Sequence, residues 1–309
     1  MKPRILLIGS TGQVGHELAG MLPRLGEVVA PDRARFDLTR TADVARLIRD
    51  THPQIIVNAA AYTAVDLAEK EREKAHAINA EAPAAMAAEA AKLNALFVHY
   101  STDYVFDGSK GSPYAEDDPT NPLGVYGRTK LDGEDAIRDS GCQHLILRTA
   151  WVYATRGKNF LLTILRLASQ REELRIVSDQ IGAPTWAYEI ARATSSILER
   201  RAATASGNAL ATGTFHLTAG GTTNWHEFAT AILDEANKLP GDNSWLRAAL
   251  DGGSIVTKRI KPITTAEYPT PARRPSYSVL SNERLTATYQ VQLPEWGEQL
   301  KAALNSIRS

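Results

Sequence analysis

The stretch Ile5-Leu6-Leu7-Ile8-Gly9-Ser10-Thr11-Gly12-Gln13-Val14-Gly15 joins a short apolar run to three glycines spaced three residues apart. The apolar run predicts a buried strand, and the glycine segment predicts a tight turn that opens a helix. A helix N-terminus binds pyrophosphate through its unpaired N–H groups and its positive dipole end, and glycines let the backbone approach closely. The glycine segment, with Gly9, Gly12 and Gly15, is therefore a candidate for binding a dinucleotide.

The same turn could serve only for close packing, so its context decides the interpretation. Over the first 150 residues, short apolar runs alternate with longer segments of helical spacing. The runs are Ile5–Ile8, Val28–Ala30, Ile55–Ala60, Leu96–Val98 and Leu145–Leu147, and Ala82–Ala95 is one of the helical segments. This alternation predicts a parallel sheet covered by helices on both faces. We therefore expect residues 1–151 to form a doubly wound α/β domain that binds a dinucleotide.

The second half of the chain has a looser pattern. We expect helices at Phe160–Ala168, Tyr188–Arg201 and Trp296–Ile307, and a strand at Phe215–Leu217. Asn224 and Glu227 have the spacing of a capping box at the start of a further helix. The segment 240–275 is rich in Gly, Pro and Thr, which favours loops and short elements. Residues 152–309 are predicted to form a smaller α/β region, mainly for substrate binding and interleaved with the first domain.

Composition excludes several classes of function. The 309 residues contain 35 Lys+Arg and 35 Asp+Glu, so the diffuse positive charge of nucleic-acid binders is missing. No apolar run approaches the ~18 residues of a membrane span, and the N-terminal run ends at Gly9, too early for a signal peptide. Cys142 is the single cysteine and cannot form an intrachain disulfide, which favours a reducing cytoplasm. Motifs for a zinc protease, a serine hydrolase nucleophile and a P-loop ATPase are also missing.

Tyr126 and Lys130 are four residues apart on a predicted helix and therefore share one face. A lysine ammonium near a phenol oxygen favours the phenolate, and lowering the tyrosine pKa by three units takes about 4 kcal/mol. With that help Tyr126 would be a proton donor near neutral pH. The same spacing is common on ordinary helices, but the dinucleotide motif in this chain favours the catalytic interpretation.

Ser101 and Thr102 follow the strand predicted at Leu96–Val98, at the edge of the sheet where open α/β folds bind ligands. A hydroxyl there can hydrogen-bond a carbonyl oxygen on which negative charge develops, although one that merely caps the strand would look the same. Asn58 and the small residues after it end another strand, where a cofactor could pass closely.

The residues after the second strand bear on which dinucleotide is used. Asp32 lies where a carboxylate usually binds the adenosine ribose, whereas Arg33 and Arg35 would favour a 2′-phosphate. The choice between NADH and NADPH therefore stays open. Asp37 and Leu38 could reach the adenine, and capping a helix from Thr39 is an equally good role for Asp37.

Together these residues resemble the extended short-chain dehydrogenase/reductase superfamily and, within it, the dTDP-4-dehydrorhamnose reductase family. The resemblance extends over nearly the whole chain and implies a Rossmann fold. It is carried by the glycine motif, Val57–Ala61, Ser101–Gly108, Tyr126–Glu134, Leu147–Thr149 with Trp151–Tyr153, Asp179–Gln180 with Gly182–Thr185, and Tyr268–Pro271 with Arg274–Pro275. The stretches 101–108 and 179–185 are much more specific than the superfamily signature.

The resemblance implies a role for individual residues. Tyr126 would donate the proton, Lys130 would support it and hold the nicotinamide ribose, and Thr102 would polarise the carbonyl. Thr102, Asp103, Tyr126 and Trp151 would contact the sugar nucleotide. The residues implied to line the cofactor, besides Tyr126 and Lys130, are Gly9, Gly12, Gln13, Val14, Gly15, Asp32, Asp37, Leu38, Ala61, Tyr62 and Thr63.

Some family members are dimers that bridge a magnesium ion through three glutamates. Glu17 matches the first glutamate, but Tyr188 and Gly297 stand at the other two positions, with Glu189 and Glu298 one step away. We therefore do not expect a metal, and both a monomer and a homodimer remain open.

The function expected from the resemblance is NAD(P)H-dependent reduction of the C4 ketone of dTDP-4-dehydro-L-rhamnose. One alternative is a non-catalytic NADP-binding regulatory subunit, although such a chain has no chemical need for Thr102, Tyr126 and Lys130. Another is an epimerase or dehydratase that uses the same three residues on a different nucleotide sugar.

Overall fold

The computed structural model describes residues 2–31, 36–203 and 211–307, which contain strands and helices in alternation. The strands are β1 (Arg4–Ile8), β2 (Glu27–Val29), β3 (Ile55–Asn58), β4 (Leu96–Thr102), β5 (His144–Thr149), β6 (Val152–Tyr153), β7 (Glu173–Val177), β8 (Ile181–Gly182), β9 (Thr185–Trp186), β10 (Gly213–His216), β11 (Thr223–Asn224) and β12 (Arg259–Ile263). The helices are α1 (Gln13–Met21), α2 (Thr41–Thr51), α3 (Val65–Ala68), α4 (Arg72–His76), α5 (Ala82–Leu93), α6 (Val125–Asp139), α7 (Phe160–Ala168), α8 (Ala187–Ala203), α9 (Trp225–Ala236), α10 (Ser244–Ala249), α11 (Glu283–Tyr289) and α12 (Trp296–Asn305).

The central sheet has the strand order β10-β5-β4-β3-β1-β2 in the described part of the chain, and its strands pair in parallel. After β1 the chain moves outward to β2, and then it crosses back to β3 on the other side of β1. This reversal opens a crevice at the carboxyl ends of β1 and β3, where doubly wound folds bind their ligands. The fold class predicted from the alternation of strands and helices is confirmed.

Alternate residues of β1 explain why both faces of the sheet are covered. Ile5 and Leu7 point into a core that also contains residues of α1 and α8, while Leu6 and Ile8 point into a second core with residues of α2, α5 and α6. All four side chains are fully or almost fully buried. A strand buried on both faces has the continuous apolar sequence by which it was predicted.

A third core lies in the second half of the chain, where α7, α9, α10 and α12 pack together around residues such as Leu165, Phe228 and Leu300. Two parallel strands, β7 and β12, pair beside this core. Strand β10 also comes from the second half, yet it pairs with β5 in the central sheet. The two halves of the sequence are therefore interleaved in space.

Several predicted elements differ from the structure in extent. Strand β4 continues to Thr102 rather than ending at Val98, because its pairing with β5 extends to the residue pair Thr102–Thr149. The expected capping box is only half formed: Asn224 accepts the N–H of Glu227 at 2.9 Å, but the Glu227 carboxylate accepts from the Thr223 hydroxyl instead. Strands β7 and β12 were not predicted as strands.

Within the described ranges, no helix is both long enough and apolar enough to cross a membrane.

Candidate active site

The glycine turn lies between the end of β1 and the start of α1, over the crevice of the sheet. Gly9 has a φ of +85°, and a Cβ there would lie 2.7 Å from the backbone N of Ala60. At Gly15 a Cβ would lie 2.0 Å from the carbonyl oxygen of Gly9. Gly12 is exposed, caps α1 in extended conformation and provides no side chain to occupy the helix N-terminus. The backbone here forms a narrow cradle that fits the pyrophosphate of a dinucleotide.

Gln13 connects this turn to the second half of the chain. Its Oε1 accepts a hydrogen bond from Nδ2 of Asn159 at 3.0 Å. Asn159 also donates to the backbone carbonyl of Ala154 at 2.8 Å and caps α7. Asn159 was missed in the sequence, because its contact with Gln13 joins residues 146 positions apart.

The residues predicted to bind the adenosine are only partly described. Asp32, Arg33 and Arg35 lie outside the described residues. Asp37 accepts the backbone N–H and the hydroxyl of Thr39 at 2.9 and 2.8 Å. It therefore stabilises a turn ahead of α2. The helix begins at Thr41, whereas the capping role considered for Asp37 placed the start of a helix at Thr39.

The loop Ala61–Thr63 follows β3 and the segment Ala59–Ala60, whose backbone lies against Gly9. Its conformation is fixed by Asn79, which accepts the N–H of Tyr62 at 2.8 Å and donates to the Tyr62 carbonyl at 3.1 Å. Asn79 also donates to the Thr129 hydroxyl on α6. It lies in a π-helical turn, a feature often associated with functional sites, and no periodic pattern announces such a turn.

Thr102 and Asp103 stand at the carboxyl end of β4. Both side chains are almost completely buried, and the Thr102 hydroxyl donates to Oδ1 of Asp103 at 3.0 Å. The second carboxylate oxygen of Asp103 has no hydrogen-bond partner in the described structure. Burial raises the pKa of Asp103 to about 6, against hydrogen bonds from Ser278 and Thr102 that act in the opposite direction.

Tyr126 lies in the first turn of α6, with its ring edge-on to the ring of Tyr104 at a centroid distance of 5.6 Å. Loss of solvent raises the pKa of Tyr126 to about 12, against a side-chain hydrogen bond with Thr102 that lowers it. The prediction of an acidic tyrosine is therefore wrong for this structure. At neutral pH the phenol is protonated, which is the form a proton donor needs.

The position of Lys130 explains why the pKa of Tyr126 is not lowered as the sequence predicted. Its ammonium group turns toward β4, where it donates to the backbone carbonyl of Tyr100 at 2.6 Å and lies 2.9 Å from Nε2 of His99. Only 1% of the side chain is exposed, and burial lowers the pKa of Lys130 to about 8. Both contacts come from the strand rather than from Tyr126.

Trp151 follows β5 and is held in an unusual backbone conformation, with a φ of +46°. Its indole stacks on Trp225 at a centroid distance of 3.5 Å and an interplanar angle of 6°. Behind it, Gly182 leaves room that a Cβ would fill, at 2.5 Å from Cε2 of Trp151. The stacked indoles form a flat apolar surface beyond the end of β5.

In the described part of the chain, no group of three or more His, Cys, Asp or Glu side chains is placed to hold a metal ion. Glu189, one of the glutamates adjacent to the expected positions, is paired with Arg192 at 2.6 Å.

Comparison with known proteins identifies the family. The model of the RmlD substrate binding domain family matches residues 1–309. A dTDP-4-dehydrorhamnose reductase of Burkholderia thailandensis is 48% identical over 293 residues, which cover 95% of each chain. The dTDP-4-dehydrorhamnose reductase of Escherichia coli K12 is 42% identical over 98% of this chain and 97% of its own. A crystal structure of the Bacillus anthracis dTDP-4-dehydrorhamnose reductase with NADP superimposes with a TM-score of 0.86 at 32% identity, over 99% of this chain and 100% of that chain.

The family resemblance inferred from the motifs is thus confirmed over the full length. The chain belongs to the RmlD substrate binding domain family, the family of the dTDP-4-dehydrorhamnose reductases.

Proposed function

We propose that this chain reduces the C4 ketone of dTDP-4-dehydro-L-rhamnose to dTDP-L-rhamnose with NADPH or NADH, a step in making the sugar nucleotide for cell-surface polysaccharide. The observation that carries the proposal is the proximity of Thr102, which ends β4, to Tyr126 on α6, where the Thr102 side chain lowers the pKa of the phenol. This proximity places two hydroxyl groups at one edge of the sheet. Tyr126 can donate to the ketone oxygen, and the Thr102 hydroxyl can donate to the same oxygen by turning away from Asp103, to which it donates in this structure.

The protein's part in the reaction is to supply protons and position. The protonated phenol of Tyr126 gives its proton to the ketone oxygen, and the Thr102 hydroxyl stabilises the negative charge that develops there. The reduced nicotinamide supplies the hydride when bound. Lys130 holds the nicotinamide ribose in the proposed site.

In this proposal the two regions of the chain bind different molecules, the dinucleotide and the sugar nucleotide. Residues 1–151 bind the dinucleotide through the glycine cradle, with Asp37, Leu38 and Ala61–Thr63 beside it. Residues 152–309, interleaved with the first region, complete the pocket for the sugar nucleotide, and Trp151, Asp103, Thr102 and Tyr126 contact it. The single cysteine, Cys142, is buried and unpaired, which supports a reducing cytoplasm as the proposed location.

The test is an assay with purified full-length protein, dTDP-4-dehydro-L-rhamnose and either NADPH or NADH. We expect loss of nicotinamide absorbance in proportion to the dTDP-L-rhamnose formed. An epimerase or dehydratase would change the sugar without net consumption of cofactor, and a regulatory subunit would bind the cofactor without any change. Either of those two results would overturn the proposal.

A further inference from the structure

Three buried side chains form a continuous hydrogen-bonded chain that ends at Lys130. Asn58 on β3 and His99 on β4 are direct neighbours in the parallel pairing, with Nδ2 of Asn58 3.1 Å from Nδ1 of His99. Nε2 of His99 lies 2.9 Å from Nζ of Lys130 on α6. Each of the three residues is only 1% exposed, so water does not complete their hydrogen bonds.

The backbone fixes the direction of this chain. The N–H of Ala60 lies 3.1 Å from Oδ1 of Asn58. A backbone N–H can only donate, so the amide oxygen must face Ala60 and the amide NH₂ must face His99. The NH₂ group also can only donate, so Nδ1 of His99 is the acceptor and carries no proton. A neutral imidazole then has its proton on Nε2.

A proton on Nε2 points at Nζ of Lys130. An ammonium group has no lone pair to accept it, whereas a neutral amine has one. The other contact of Nζ, the carbonyl of Tyr100 at 2.6 Å, accepts a hydrogen bond from Lys130 in either form. The geometry therefore favours the amine over the ammonium at this position.

We propose that His99, held by Asn58 in the Nε2–H tautomer, is a positioning residue that donates to Lys130 and so favours its neutral form. The inference rests on the proposed function only for the part that Lys130 plays in turnover. The tautomer and the protonation of the lysine are properties of the protein alone.

The electrostatic surroundings agree with this arrangement. Burial lowers the pKa of His99 well below its usual value, and a charge on Lys130 would lower it further, so an imidazolium with two N–H groups is excluded. Burial lowers the pKa of Lys130, while the carboxylate of Glu134, one turn further along α6, acts against this. Glu134 is itself paired with Arg148 from β5 and with Arg138 from α6. Tyr126, one turn earlier on α6, is uncharged at neutral pH.

Nitrogen NMR on the full chain labelled with ¹⁵N-histidine tests the tautomer directly. We expect His99 to show an unprotonated Nδ1 and a protonated Nε2 at neutral pH, with the signal identified by its loss in His99→Gln. His144 is a reference within the same spectrum, because its Nδ1 lies 3.0 Å from the carbonyl of Cys142 and must carry a proton there. A protonated Nδ1 at His99 would overturn the proposal.

The variant Asn58→Asp is designed to reverse the tautomer. Its carboxylate keeps an acceptor for Ala60 but places an acceptor against Nδ1 of His99, which moves the proton to Nδ1 and leaves Nε2 to accept from an ammonium. We expect the apparent pKa of Lys130, followed by its side-chain NMR signal, to rise by about one unit or more. It should rise less in Asn58→Asp combined with His99→Phe, where the new charge acts without the imidazole. If the tautomer reverses and the titration of Lys130 does not move, His99 does not control the lysine.

These measurements need no substrate, so their outcome is independent of the reductase assay. A failed assay with the expected tautomer would overturn the proposed function alone. Turnover with the opposite tautomer would overturn this inference alone. Because the wild-type spectrum decides the tautomer, the test stands even if Asn58→Asp does not fold.

Discussion

Arg148 donates two hydrogen bonds to Glu134, from Nε at 2.9 Å and from Nη2 at 2.7 Å. The Arg148 side chain is 3% exposed and the Glu134 side chain 0%. Glu134 lies on α6, three residues after Leu131 in the buried face of that helix, and Arg148 lies on β5. The pair thus fastens the helix that carries Tyr126 and Lys130 to the sheet.

The cost of losing this ion pair depends on burial. Arg148→Met leaves the Glu134 carboxylate buried without its main partner, and we expect a loss of about 3–5 kcal/mol in the free energy of unfolding. Arg138 also binds Glu134, at 3.1 Å, but its side chain is 35% exposed. For Arg138→Ala we expect a loss below about 1 kcal/mol. Urea unfolding of both variants measures the difference, and equal losses would contradict the role given to burial.

We expect ionisation of Asp103 to lower the free energy of unfolding as the pH rises. Its folded-state pKa of about 6 lies above the unfolded value, so the folded state holds the proton more tightly and loses stability between about pH 4 and pH 6. Asp103→Asn removes that loss. We expect its melting temperature to exceed the wild-type value by on the order of a few degrees at pH 8, and by less at pH 4.

Asp107 is a suitable control, because its pKa shift has the opposite direction to that of Asp103. The backbone N–H of Ser109, together with side-chain hydrogen bonds, lowers the pKa of Asp107 to about 2. This carboxylate therefore contributes stability above its unfolded pKa and loses it as the pH falls toward 2. Asp107→Asn should melt below the wild type at pH 8. If thermal melts show the two variants shifting in the same direction at pH 8, the assignment of these pKa shifts is wrong.

The glycine cradle predicts a sharp difference between two glycines of α1. In Gly15→Ala the new Cβ would lie 2.0 Å from the Gly9 carbonyl and must displace the turn. We expect the affinity for NADPH to fall by about tenfold or more. Gly20 is on the same helix, and no described atom outside its own stretch of helix lies within 4 Å of its Cβ position. Gly20→Ala should therefore keep the affinity and gain about 0.5–1 kcal/mol of stability.

Calorimetric titration with NADPH measures both affinities, and thermal melts report whether each variant is folded. A folded Gly15→Ala protein with wild-type affinity would contradict the account of the cradle.

Local patterns in the sequence predicted the parts of the fold that depend on local physics. The run Ile5–Ile8 is apolar because it is buried on both faces, and the glycines after it are needed where backbone meets backbone. Helix α7 begins and ends where its amphipathic pattern does, at Phe160 and Ala168. Strand β7 has the alternating pattern of a half-buried strand over residues 173–177, but its partner β12 lies 86 residues further along the chain, so no local pattern shows the pairing.

The sequence predicts a set of site residues but not the contacts among them. The spacing of Tyr126 and Lys130 places them on one helix face. It does not reveal that the lysine turns toward His99 and the Tyr100 carbonyl, which lie on β4, 31 and 30 residues earlier in the chain. His99 itself stands in an apolar run, where a histidine ordinarily has a packing role, and only the pairing of β3 with β4 brings Asn58 to it.

The central claim is that Tyr126 gives its proton to the substrate ketone. The most direct measurement is the turnover of Tyr126→Phe with dTDP-4-dehydro-L-rhamnose and NADPH, alongside the dissociation constant for NADPH. The account predicts that kcat/KM falls by about 10²–10⁴-fold while the dissociation constant stays nearly unchanged, because only the proton donor is removed. Turnover equal to that of the wild type would contradict it.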